Sequence, residues 1–158
     1  MISIEKIDLI VFDFDGVLTN NKVSIDQKGN EWVSCSRGDG LGFDVLRKLN
    51  KPTYILSPEK NPVVTARAKK LNIPVLQGFS DKVQALTILA EEEGFKFDRI
   101  LYVGNDLNDM DVMEQIGMPI CPADAHEKIR ELSIYITKAK GGGGVVRELA
   151  DWLANFDI

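Results

Sequence analysis

The chain has 158 residues, 44% of them hydrophobic and 27% charged, with a formal net charge of -5. That length suits one domain with a substantial core and is short for two. The acidic balance excludes broad nucleic-acid binding, which needs a basic face. A small anionic ligand stays allowed, because a pocket can be locally positive in an acidic protein. No stretch approaches the ~20 apolar residues of a membrane span. The start of the chain, Met1-Ile2-Ser3-Ile4-Glu5-Lys6, lacks the apolar run of a signal peptide. Two cysteines, Cys35 and Cys121, make neither a disulfide framework nor a metal cluster. Together these features predict a cytoplasmic protein without nucleic-acid or membrane partners.

In chain order, short apolar runs alternate with segments of helical periodicity. Leu9–Phe12, Thr53–Leu56, Val75–Gln77, Ile100–Val103 and Met118–Cys121 read as buried strands. Helices are predicted over Leu41–Leu49, Pro62–Leu71, Lys82–Glu93, Asp109–Ile116, His126–Leu132 and Val145–Asn155. This alternation predicts an α/β fold, a doubly wound parallel sheet with helices on both faces. Residues 21–35 break the rhythm and read as a β-hairpin, Lys22–Ile25 and Glu31–Ser34 around a turn rich in Asp, Gly and Asn. It is a small inserted flap, and no insertion is large enough for a cap domain. Gly141–Gly144 reads as a flexible linker to a tail at residues 141–158.

Ligands of doubly wound sheets collect at the carboxyl ends of the strands. There the chain delivers Asp13 and Asp15 after the first strand and Ser57 after the second. Lys82 lies beyond the third, and Asn105, Asp106 and Asp109 follow the fourth. Two carboxylates two residues apart repel each other, so a bound cation is expected to offset them. All-oxygen ligands suit Mg²⁺. One carboxylate can then act as nucleophile, and the other can serve as acid and base.

Asp13-Phe14-Asp15-Gly16-Val17-Leu18-Thr19 resembles the first motif of the haloacid dehalogenase superfamily of phosphohydrolases. Ser57, Lys82 and Gly104-Asn105-Asp106-Leu107-Asn108-Asp109 resemble its second, third and fourth motifs, in the right order. The resemblance implies a Rossmann-like hydrolase with Asp13 as phosphorylated nucleophile and Asp15 as acid/base, its carbonyl touching Mg²⁺. Ser57 and Lys82 would hold the phosphoryl group, and Asp13, Asp15, Asn105 and Asp106 would form the metal site. Two positions depart from the pattern: Asn105 stands where Asp is usual, and Pro58 where a glycine amide usually donates.

The flap, the missing cap and the glycine run resemble the branch of octulosonate 8-phosphate phosphatases and phosphatases of nine-carbon, sialic-acid-like ulosonates. That resemblance implies a homotetramer whose flaps and tails complete neighbouring sites, and a sugar-phosphate substrate. Ser57-Pro58-Glu59 is closer to the nine-carbon group than to the Thr-Gly-Arg of octulosonate phosphatases. Glu59, Arg67 and Arg37 are therefore candidate substrate-binding residues, Arg67 for a carboxylate. The alternative is a non-catalytic tetramerising module associated with nucleotide-sugar synthesis, which the retention of Asp13 and Asp15 disfavours. His126 reads as structural. Trp32 and Trp152 read as packing residues.

Overall fold

A computed structural model describes residues 2–155. The strands are β1 (Leu9–Phe12), β2 (Ser24–Ile25), β3 (Glu31–Trp32), β4 (Thr53–Ser57), β5 (Val75–Gln77), β6 (Ile100–Val103), β7 (Met118–Cys121) and β8 (Tyr135–Ile136). Six of them form a parallel sheet in the order β5-β4-β1-β6-β7-β8. β1 and β6 are apolar at every position and buried at every position, as strands covered on both faces must be. From β1 the chain builds outward through β4 and β5, then crosses back to β6 and builds outward the other way. The order therefore reverses between β1 and β6, whose registered ends are Phe12 and Val103. The ligand crevice of such sheets opens at that reversal.

The helices are α1 (Gly38–Lys48), α2 (Pro62–Leu71), α3 (Lys82–Glu93), α4 (Met110–Met113), α5 (Glu127–Leu132) and α6 (Val145–Ala154). Ile10 and Phe12 of β1 point to the α1, α2 and α6 side, and Leu9 and Val11 to the α3, α4 and α5 side. Local signals explain several boundaries. Asn61 caps α2 through Val63 N–H ahead of Pro62, whose missing donor costs nothing at that position. Asp81 caps α3 through Gln84 N–H, which places Lys82 as the first helical residue. Among the described residues, no helix is long and apolar enough to cross a membrane.

Several expectations change. The helix expected over Asp109–Ile116 is a 3₁₀ turn, Leu107–Asp109, followed by the single turn of α4. The hairpin strands are two residues each, shorter than expected, and the Thr19–Cys35 bridge closes the flap at its base. The edge strand β8 was not foreseen; two residues carry too little pattern.

The largest correction concerns the tail. Residues 141–144 are not a free linker: Gly142 N–H donates to Val17 O at 3.1 Å, and Gly141 N–H to Asp124 Oδ1 at 2.9 Å. A Cβ on Gly141 would stand 2.1 Å from Gly16 O, so only glycine lets this segment lie against the Asp13–Thr19 loop. α6 then packs on α1 and buries Val145, Val146, Leu149, Ala150 and Leu153. Gly42 of α1 makes the approach possible, since a Cβ there would sit 2.8 Å from Arg147 backbone. The tail up to residue 155 is thus part of its own subunit's core, and residues 156–158 lie outside the described structure. His126 caps α5 through Lys128 N–H, and Trp152 stacks on Tyr135 at 4.5 Å.

Candidate active site

Asp13 follows β1 directly, and its N–H still bonds Val103 O of β6 at 2.9 Å. The sheet ladder therefore holds the residue's backbone. The residue is 3% exposed. Oδ1 accepts from Phe14 N–H at 2.7 Å and faces Lys82 Nζ at 3.2 Å. Asp15, half-buried, follows on the turn that Gly16 makes at φ +83°. Thr19 Oγ1 braces the loop by accepting Gly16 N–H at 3.1 Å.

Lys82 crosses from the start of α3 and is buried between two carboxylates. Asp109 Oδ1 lies 2.5 Å from its Nζ, opposite Asp13. Asp109 is itself saturated: Oδ1 also accepts from Tyr102 OH at 2.8 Å, and Oδ2 from Asn105 N–H at 2.9 Å and Asp106 N–H at 3.3 Å. Burial pushes Lys82 toward neutrality, but the charges of Asp13 and Asp109 outweigh it and raise its pKa. For Asp13, burial and then the Asp109 charge push the carboxyl well up, against Lys82. Without a further cation, the carboxyl is therefore drawn toward its neutral form.

The oxygens meet at the β1/β6 crevice. The Asn105 amide faces Asp15 O at 2.9 Å and Asp13 Oδ2 at 3.2 Å. With its NH₂ inward, Asn105 donates to both. With its oxygen inward, three oxygens meet, an arrangement that a bound cation or a proton on Asp13 relieves. Octahedral Mg²⁺ at 2.0–2.1 Å sets neighbouring ligand oxygens about 2.9 Å apart, which these separations fit. Among the described residues, no group of three or more His, Cys, Asp or Glu is placed to hold a metal. The donors here are instead one carboxylate, a backbone carbonyl and an amide.

Asp106 lines the same cavity, of about 310 Å³, with Asp13, Asp15, Asn21, Pro58, Asn105 and Asn108. Its exposed side chain caps the 3₁₀ turn through Leu107 N–H instead of joining the oxygen cluster. Asp109, expected among the oxygen groups at the strand ends, instead binds Lys82 and Tyr102, and Tyr102 has no role in the sequence pattern. Asp109 was visible in the fourth motif; Tyr102 looked like one more apolar strand position. Ser57, fully buried at the end of β4, accepts Glu59 N–H at 3.2 Å. That amide lies one residue past the donor that Pro58 removes.

Beyond Asp15 the cleft continues under the flap. A cavity of about 230 Å³ is lined by Asp15, Asn21, Val23, Glu31, Val33, Glu59, Asn61 and Val63. Glu31 of the flap accepts from Asn61 Nδ2 at 2.9 Å and so ties β3 to the start of α2. Burial first, then the charges of Glu59 and Glu31, raise the Asp15 pKa against Lys82. Val33 and Val63 also line a third cavity, of about 610 Å³, with Cys35, Arg37, Arg67 and Lys70. The structure thus brings Asp13, Asp15, Lys82 and Asn105 together, sets Glu59 beside them, and puts Arg37 and Arg67 in the adjoining basic cavity.

A family profile described as haloacid dehalogenase-like hydrolase matches residues 47–149. The octulosonate 8-phosphate phosphatase of Salmonella typhi is 34% identical over 154 residues, 97% of this chain and 82% of that protein. The chain belongs to the haloacid dehalogenase-like hydrolase family, among its phosphatases. A putative hydrolase of this family from Streptomyces avermitilis superposes with a TM-score of 0.93 at 47% identity, covering 97% of this chain and 94% of that one. The Moraxella catarrhalis octulosonate 8-phosphate phosphatase, solved with magnesium, phosphate and the octulosonate, gives 0.91 at 31% identity, covering 98% and 91%.

Proposed function

We propose that the protein is a magnesium-dependent phosphomonoesterase that releases phosphate from a 2-keto-3-deoxy-ulosonate phosphate through an aspartyl-phosphate on Asp13. The observation that carries the reading is the position of Asp13: one oxygen is held by Lys82 and Phe14 N–H, and the other meets the Asn105 amide, which also meets the Asp15 carbonyl. Asp13, the Asp15 carbonyl and Asn105 are the residues that would hold Mg²⁺, whose charge offsets the buried carboxylate and the phosphate. Asp106, near but turned to its helix, is at most an outer partner.

An Asp13 oxygen attacks phosphorus while the bond to the sugar oxygen breaks. Asp15, whose pKa burial and the charges of Glu59 and Glu31 raise, gives a proton to the departing sugar oxygen. The resulting Asp15 carboxylate then takes a proton from water, whose oxygen displaces the Asp13 carboxylate from phosphorus. Lys82 would support the negative charge of the phosphoryl group throughout, and Ser57, whose Oγ accepts the Glu59 amide, would donate its hydroxyl proton to a phosphoryl oxygen.

The leaving sugar would lie in the acidic cavity, where Glu31 and Glu59 accept from hydroxyls. Its carboxylate end would extend toward Arg67 and Arg37, since a guanidinium matches a carboxylate in two parallel hydrogen bonds. Glu59 favours nine-carbon ulosonates, whereas the octulosonate phosphatases among the relatives support eight carbons. Val23, Ile25 and Trp32 expose 52%, 63% and 55% of their surface on the flap, which supports a homotetramer assembled through the flaps.

The test is phosphate release with Mg²⁺ over eight- and nine-carbon ulosonate phosphates and simple hexose phosphates. An ulosonate phosphate should be preferred, and Asp13→Asn should lose at least about 10³-fold in turnover while keeping the oligomer. Release from none of these compounds by the wild type would favour a non-catalytic assembly module.

A further inference from the structure

Away from the catalytic cleft, one carboxylate is buried with half of its hydrogen-bonding capacity unused. Asp39, in the first turn of α1, is 1% exposed. Its Oδ1 accepts Arg147 N–H at 3.1 Å, at the start of α6. Its Oδ2 is buried without a partner, and among the described residues the other such side-chain atom is Arg67 Nε. The two residues are joined through a third. Ser36 O accepts both Asp39 N–H, at 3.3 Å, and Arg67 Nη2, at 3.2 Å. Two residues of opposite charge, each with one buried polar atom unsatisfied, are therefore joined through one carbonyl.

Burying either charge alone is costly, and each reduces the cost of the other. The arrangement also has a direction. α2 supplies Arg67, the turn before α1 supplies Ser36, the first turn of α1 supplies Asp39, and α6 supplies the amide that holds Asp39 in place. Arg67 turns its remaining surface to the basic cavity with Arg37 and Lys70. We propose that Asp39 is a positioning residue: its carboxylate is the counter-charge that fixes the Arg67 guanidinium toward the cavity and ties that orientation to the N-terminus of α6. The inference rests on the reading of Arg67 as the group that holds the substrate carboxylate.

Asp39→Asn separates this role from simple capping. Asparagine keeps an acceptor for Arg147 N–H but removes the negative charge that Arg67 feels from Asp39. The expected result is a KM about tenfold higher for the ulosonate phosphate, with kcat within twofold and the melting temperature nearly kept. The double variant with Arg67→Met should be no worse than Arg67→Met alone. An unchanged KM in Asp39→Asn, or additive effects in the double variant, would overturn the proposal. If Arg67→Met itself leaves KM unchanged, the carboxylate reading falls and takes the proposal with it. A second measurement needs no substrate: the Arg67 Nε–H resonance should exchange with solvent at least tenfold faster in Asp39→Asn, and equal exchange would refute the positioning role.

Discussion

Replacing Lys82 by Met, which keeps most of the aliphatic stem, removes the charge that stands between two buried carboxylates. Lys82 is 3.2 Å from Asp13 Oδ1 and 2.5 Å from Asp109 Oδ1, and all three side chains are nearly inaccessible. Removing one partner of a buried pair costs about 3–5 kcal/mol, because the other charge is left uncompensated. Asp109 keeps three other donors, in Tyr102 OH and the amides of Asn105 and Asp106. The lower end, about 3 kcal/mol, is therefore expected at pH 8. The loss should depend on pH. Asp13 already has a folded pKa above its ordinary value, by burial and then the Asp109 charge, and the variant raises it further. As pH rises, the unfolded carboxyl gives up its proton first, so stability falls from the unfolded pKa up to the folded one. In the variant that fall extends to higher pH. The gap between variant and wild type should thus be widest at pH 8 and shrink toward pH 4.5, where Asp13 is increasingly protonated in the folded variant. Urea unfolding in EDTA at the two pH values measures it. A gap below about 1 kcal/mol at pH 8, or a wider one at pH 4.5, would refute the argument. Turnover with Mg²⁺ should drop by about 10² or more.

Gly16→Ala should act on the metal through its neighbour. The residue sits at φ +83°, and a Cβ would stand 2.0 Å from Asn105 Nδ2, so Asn105 must move. The magnesium concentration for half-maximal activity is expected to rise about tenfold, with a stability cost of about 1–3 kcal/mol. An unchanged magnesium titration would count against Asn105 as a ligand. Truncation after Gly144 should unfold the protein rather than merely slow it. It removes the buried side chains Val145, Val146, Leu149, Ala150 and Leu153, each contributing about 1–3 kcal/mol. A truncated protein with a cooperative wild-type melt would show that α6 is dispensable to the core.

The segments of the candidate site were legible because their chemistry is local. An apolar run ending in Asp13-Phe14-Asp15 announces both a strand and the carboxylates at its end. Pro62 behind Asn61 and Lys82 behind Asp81 mark helix starts that the structure reproduces. The short or composite pieces were not legible. β8 has two residues, and the 3₁₀ turn at Leu107–Asp109 depends on Asp106 and Asp109 bonding each other's backbone. The glycine run misled for a related reason. Four glycines look free in a sequence, whereas here the missing Cβ atoms let one backbone lie on another.

By itself, the order of residues determined the α/β alternation, the central apolar strands and the set of polar groups presented at their carboxyl ends. Those properties follow from side-chain period and from residues adjacent in the chain. Tertiary structure alone decided that β1 and β6 are neighbours, so that the Asn105 amide meets Asp13 and the Asp15 carbonyl. It also decided that Lys82 and Tyr102 both bind Asp109, that α6 packs in the core of its own chain, and that Asp39 N–H and the Arg67 guanidinium meet on Ser36 O. Each of these joins residues far apart in the chain or on different elements, and which distant segments touch is settled by the packing of the whole sheet and its helices rather than by any local preference.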